Sequence, residues 1–146
     1  MPEKVKGYGG TVEDLKDVYT KQVRSLLELA VPAWNGALTQ NDKQDIERVQ
    51  KTVLHIMLGE SYVSYRNALG VVGLESLEKR RHKLCLKFAK QAVKHNKHSK
   101  WFVPNVRVAN TRLEQDKFCP VYAKHKRFED SPTSYLTKLL DSDNLK

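Results

Sequence analysis

The sequence predicts an all-α fold: a helical bundle of three long helices plus short helices, with a less regular basic C-terminal third. Three observations lead there. Apolar residues recur at three- and four-residue steps over long stretches. Two of these stretches open on one signature, Thr11-Val-Glu-Asp14 and Thr39-Gln-Asn-Asp42, in which the Thr side chain accepts the amide three residues on and the Asp reaches back. The breakers Pro32, Gly59, Gly70, Gly73 and Pro104 fall between the periodic stretches. The expected divisions are a lead over 1–10, the bundle over 11–100 and a basic, aromatic extension over 101–146.

The first helix follows Thr11. Val12, Leu15, Val18, Tyr19, Val23, Leu26, Leu27 and Ala30 form its inner face, and Glu13, Asp14 and Asp17 favour its positive end. Pro32 ends it, because proline cannot donate the next backbone bond and disfavours helix at Val31. Trp34 is expected to cover the corner to the next helix. That second helix follows Thr39, with Ile46, Val49, Val53, Ile56 and Met57 inward and Gly59 as a left-handed cap. Residues 61–69 make a short helix carrying Tyr62 and Tyr65. These tyrosines, with Arg66, suit either base stacking or a half-buried core.

The third long helix is expected over 76–96. Leu77, Leu84, Cys85, Phe88, Ala92 and Val93 face inward, with Arg81 at the margin. Lys83, Lys87, Lys90, Lys94 and Lys97 step by three or four along another side. In the last third, Trp101-Phe102 is an apolar anchor, and Ser131-Pro132 is a suitable start for a short final helix over 133–140.

Charge is distributed unevenly. The formal net charge of +9 is the balance of −1 over residues 1–60 and +10 over residues 61–146. No acid occurs between Lys79 and Lys100. A solvated helix face usually mixes signs, whereas like charges at i,i+4 repel. The ridge therefore suits a polyanion, with a plain solvated face as the alternative. Arg107, Arg112, Lys126 and Arg127, with Phe118, Tyr122 and Phe128 between and beside them, suit single-stranded nucleic acid or a packed surface loop.

Other chemistries find little purchase. No apolar run is long enough for a membrane span and no secretory apolar core follows Met1, so an intracellular place, nuclear or cytoplasmic, is expected. The two cysteines, Cys85 and Cys119, are too few for a disulfide framework. His82, Cys85, Cys119 and His125 lack the spacing of a zinc finger or knuckle, so no metal and no cofactor is assigned. The close acid pairs Asp14/Asp17, Asp42/Asp45, Glu129/Asp130 and Asp141/Asp143 lie in first helical turns, loop or tail, and no catalytic residue is assigned among them. No small-molecule substrate is expected.

The chain also resembles the region C-terminal to the catalytic palm in reverse transcriptases of non-LTR retrotransposons, the jockey-like elements. The resemblance is carried by Val18-Tyr19, residues 23–28, Ala30, Pro32, Trp34, Leu38-Thr39 and residues 46–51. It continues through Gly59, Leu69, Gly73-Leu74, Leu77, Arg80-Arg81, Leu84 and Phe88, and spans roughly residues 11–140. It departs at Leu29 and Val31, where the family pattern has Tyr and Ser. The family's paired metal-binding aspartates are absent from this chain, so the resemblance implies a thumb-like module without polymerase chemistry. It also implies that Arg24, Arg48, Lys51, Arg80 and Arg81 hold a nucleic-acid backbone, with Glu28 and Glu47 as partners for such arginines. The rival expectation is a helical interaction or structural module, with Trp34, Trp101, Phe102 and Phe128 forming an apolar patch.

Overall fold

The computed structural model describes residues 10–105, 118–119, 122 and 124–144. The fold is all-α, and among the described residues no strand forms beyond an isolated bridge between Pro104 and Phe118. No described helix is long and apolar enough to cross a membrane. The chain divides into two compact units. The first comprises the described residues up to Leu29 with Thr39–Arg80. The second comprises Ala30–Leu38 and the described residues from Arg81 onward.

In the first unit, α1 (Val12–Val18) starts on the expected capping box: Thr11 accepts from the Asp14 amide and Asp14 accepts from the Thr11 amide at 2.8 Å. A π-helical turn (Tyr19–Val23) then leads into α2 (Arg24–Leu27). The wide turn is the reason that the expected inner face is wrong in part. With more than four residues per turn, steps of four stay on one side. Tyr19 is therefore buried with Leu15 and Val23 against it, while Val18 and Leu26 turn outward at 58% and 73% exposure.

The long helix α4 (Gln40–Leu58) repeats the capping box at Thr39 and Asp42. Its buried stripe is Gln50, Leu54 and Met57, so Val49 and Ile56, expected inside, lie exposed. The shift follows from Gln50. Burying an amide costs free energy unless it is bonded, and here the Tyr19 hydroxyl donates to its oxygen while its nitrogen donates to the Glu75 carbonyl. Helix α5 (Tyr65–Val72) begins at the Ser64 cap and ends at Gly73, whose φ of 70° suits a residue without a side chain. Ala68 and Val72 of α5 complete this core.

In the second unit, Ala30 takes a left-handed conformation at φ 51°. Helix α3 (Val31–Trp34) follows, with Pro32 in its first turn. The preceding helix has already ended at Leu27, so Pro32 opens an element where the sequence suggested that it closes one. Trp34, expected at the corner between the first two long helices, is half-buried and packs on the core of this second unit, which contains Val31, Cys85 and Leu136. Helix α6 (Leu77–Lys94) contributes Cys85, Ala89 and Ala92 to that core, and Ala89 rather than Phe88 is the buried position.

A short helix α7 (Lys126–Glu129) precedes α8 (Pro132–Asn144). The final helix is longer than its expected 133–140 span. It buries Leu136, Leu139 and Leu140, so this part of the C-terminal third is core. The Tyr135 hydroxyl accepts from the Asn35 amide at 2.8 Å, closing α8 on the turn after α3.

Candidate nucleic-acid interface

The lysine ridge lies on α6 within the second unit. At 3.6 residues per turn, Lys83, Lys87, Lys90 and Lys94 fall within about 60° of one another, roughly opposite Cys85, Ala89 and Ala92. All four are exposed, as is Lys97 just beyond the helix. The ridge is not wholly unopposed, because Lys90 reaches Asp143 at 2.7 Å. No acid lies within ion-pair distance of Lys87, Lys94 or Lys97 among the described residues.

Beyond α6 the backbone tightens. The amides of His95, His98 and Trp101 bond in turn to the carbonyls of Ala92, His95 and His98, each three residues back. In such three-residue turns, side chains at i and i+3 eclipse. The rings of His95 and His98 accordingly stack with centroids 4.6 Å apart, and those of His98 and Trp101 meet at 4.4 Å. Lys94, Lys97 and Lys100 carry the same three-residue step and are all exposed. This aromatic ladder was missed by reading the segment only at helical period. The repeat Lys-His-Asn-Lys-His-Ser-Lys-Trp over 94–101 was its visible signal. Trp101 also walls an apolar groove of about 400 Å³, lined with Pro32, Phe88, Pro132 and Leu136.

The remaining expected contact residues separate by environment. In the first unit, Arg80 donates both to Glu28 Oε1 and, at 2.9 Å, to Oε2, while Arg24 lies 3.6 Å from the same carboxylate. Glu28 thus holds two arginines, as expected. Glu47 pairs with no arginine among the described residues: its Oε1 accepts from the Tyr65 hydroxyl and the Leu77 amide. Arg48 pairs with Asp45 at 2.8 Å, and the Lys51 ammonium sits 5.4 Å from the Tyr65 ring centroid. Tyr62 stacks on His55 at 3.5 Å.

In the second unit Arg81 is 3% exposed, with Nη1 unpartnered among the described residues. Its expected role as a phosphate contact is not compatible with that burial. Lys126 is exposed. Arg107, Arg112 and the side chain of Arg127 lie outside the described residues. Of the four residues expected to form an apolar patch, Phe102 is buried and Trp34 half-buried, while Trp101 and Phe128 are exposed.

The acids are engaged elsewhere. Backbone and side-chain bonds from Thr11 hold the Asp14 carboxyl below its ordinary pKa, and side-chain and backbone bonds from Thr39 do the same for Asp42. Asp17 pairs with Lys21, and Glu129 with Lys138. Cys85 is buried, and burial pushes its thiol up to about 11. No group of three or more His, Cys, Asp or Glu is placed to hold a metal ion among the described residues.

Comparison with family models, curated proteins and solved structures finds no match to this chain.

Proposed function

We propose that the chain is a non-catalytic nucleic-acid-binding module, related to the thumb and post-thumb part of a retrotransposon reverse transcriptase. One observation carries the reading. Lys83, Lys87, Lys90 and Lys94 share an outward sector of α6 and Lys97 extends it, in a stretch without acids. Repulsion along such a ridge costs stability. A phosphate backbone removes that cost and gains from counterion release. The absence of paired metal-binding aspartates, and the ties of Asp14, Asp17, Asp42 and Glu129 to caps or ion pairs, support a binding role over catalysis. Phosphate contacts give little sequence preference.

The test is a titration of oligonucleotide binding against salt. Affinity falls on a log–log plot with a slope of about −0.7 to −0.9 per contact. Lys87, Lys94 and Lys97 changed together to Gln reduce that slope by roughly two to three units. Lys90 is left in place because Asp143 already occupies it. Gln retains good helix propensity, so helicity persists. Absence of salt-sensitive binding to any oligonucleotide at low ionic strength rejects the proposal.

A further inference from the structure

Resting on that reading, we infer that the ridge ends in a base-stacking platform, with Trp101 as its terminal ring, and that the preferred ligand is single-stranded rather than duplex nucleic acid. Three features meet here. The rings of His95 and His98 stack at 4.6 Å, and Trp101 follows with its ring tilted by 50° against His98 at 4.4 Å. The eclipsed three-residue turns fix their alignment through backbone bonds of 3.2, 3.0 and 3.0 Å. Lys94, Lys97 and Lys100 repeat at the same step, one residue before each ring. Rings and cations thus advance together, as bases and phosphates do along a single strand.

The ladder is open at its Trp101 end. His98 covers part of Trp101, yet Trp101 remains 42% exposed and walls the apolar groove with Phe88 and Pro132. A groove of about 400 Å³ lies within the range of small-ligand sites. The polar groups in its lining are few, the Thr133 hydroxyl and the Trp101 indole N–H. A base placed there gains stacking and burial and finds little to read its edge, so the site tolerates sequence variation. Paired bases in a duplex keep their faces stacked on one another and cannot use it.

The experiment compares three probes with the full chain at one salt concentration: a 20-nucleotide thymidine strand, an abasic strand with the same number of phosphates, and a 20-base-pair duplex. The wild-type protein should bind the thymidine strand about five- to a hundredfold more tightly than the abasic strand. Trp101→Ala should lower thymidine-strand affinity to the abasic level, with duplex affinity and salt slope unchanged. Trp101→Phe should restore most of the loss.

Equal wild-type affinity for the thymidine and abasic strands overturns the inference while leaving the lysine ridge standing. So does a Trp101→Ala loss of equal size on all three probes. If Trp101→Ala does not fold, the wild-type comparison of base-bearing and abasic strands still decides. Failure to bind all three probes rejects the ridge and the platform together.

Discussion

The Tyr19 hydroxyl donates to the Gln50 side-chain oxygen across 2.7 Å in the core of the first unit. Tyr19 stands in a π-helical turn, and Gln50 stands mid-helix with its own nitrogen donating 2.9 Å to the Glu75 carbonyl. A polar relay therefore runs through a core that is otherwise built from Leu54, Met57, Ala68 and Val72. Such relays fix one arrangement of the elements, because slippage of any element leaves buried groups unbonded.

Tyr19→Phe should cost about 1–3 kcal/mol, since it removes the donor and leaves the Gln50 oxygen buried without its partner. Urea unfolding measures this. Tyr19 also confers an alkaline signature. Burial raises its hydroxyl to about 12, against an ordinary value near 10. With the folded value raised, its contribution is fully present below about pH 10 and is lost as pH rises through about 12. Burial also raises the Tyr65 and Tyr135 hydroxyls, so tyrosinate absorbance should contain a late-titrating component that Tyr19→Phe reduces by one tyrosine.

Arg80→Lys should destabilise the protein by about 1 kcal/mol or more. The planar guanidinium meets both oxygens of Glu28, and an ammonium cannot keep that two-bond geometry. Glu28→Gln should cost more than Arg80→Lys, because it leaves both Arg24 and Arg80 without the acid. Thermal unfolding of the two variants checks the order.

Gly36→Ala should destabilise the second unit by about 1–3 kcal/mol. A Cβ at Gly36 would stand 2.7 Å from Tyr135 Cβ, 2.9 Å from its Cγ and 3.1 Å from the Asp130 carbonyl oxygen. These are backbone or near-backbone atoms, so the clash cannot be relieved by a rotamer change. Gly70→Ala is the control: nothing lies within 4 Å of a Cβ there, and helix propensity favours Ala.

Thiol labelling should separate the two cysteines. Cys85 is fully buried with its thiol raised to about 11, so little reactive thiolate forms at pH 8. Cys119 is partly exposed. Native protein should modify rapidly at one thiol per chain and at both in denaturant. Rapid modification of both in the native protein would show that the Cys85 core is open.

The sequence was most readable where one residue's chemistry sets local geometry. Thr11 with Asp14, Thr39 with Asp42, and Ser131-Pro132 mark helix starts because their bonds span three or four residues. It was least readable where a distant partner changes the outcome. Gln50 reads as a surface residue until Tyr19 and Glu75 are placed around it. Trp34 lies near Thr39 in sequence but packs in the unit formed by Cys85 and Leu136. Arg81 reads as standing at the margin of the inner face, and the resemblance makes it a backbone contact, yet on α6 it is buried. The lysine ridge followed from helical spacing alone. The ladder beside it required a different period, since the chain leaves the α-helix at Lys94 and continues by threes.

Asn35 and Tyr135 bond across 100 residues of chain, and both lie in a unit assembled from Ala30–Leu38 and the residues after Arg81. During synthesis at roughly 5–20 residues per second, the earlier segment waits on the order of ten seconds for the helix that covers it. Val31 and Trp34 lack the cover of Leu136, Leu139 and Leu140 for that interval. The residues of the first unit end at Arg80, so all of them are synthesised before α8. A ribosome stalled before α8 would therefore present every residue of the first unit beside one unclosed apolar surface, the state in which the nascent chain most needs a chaperone.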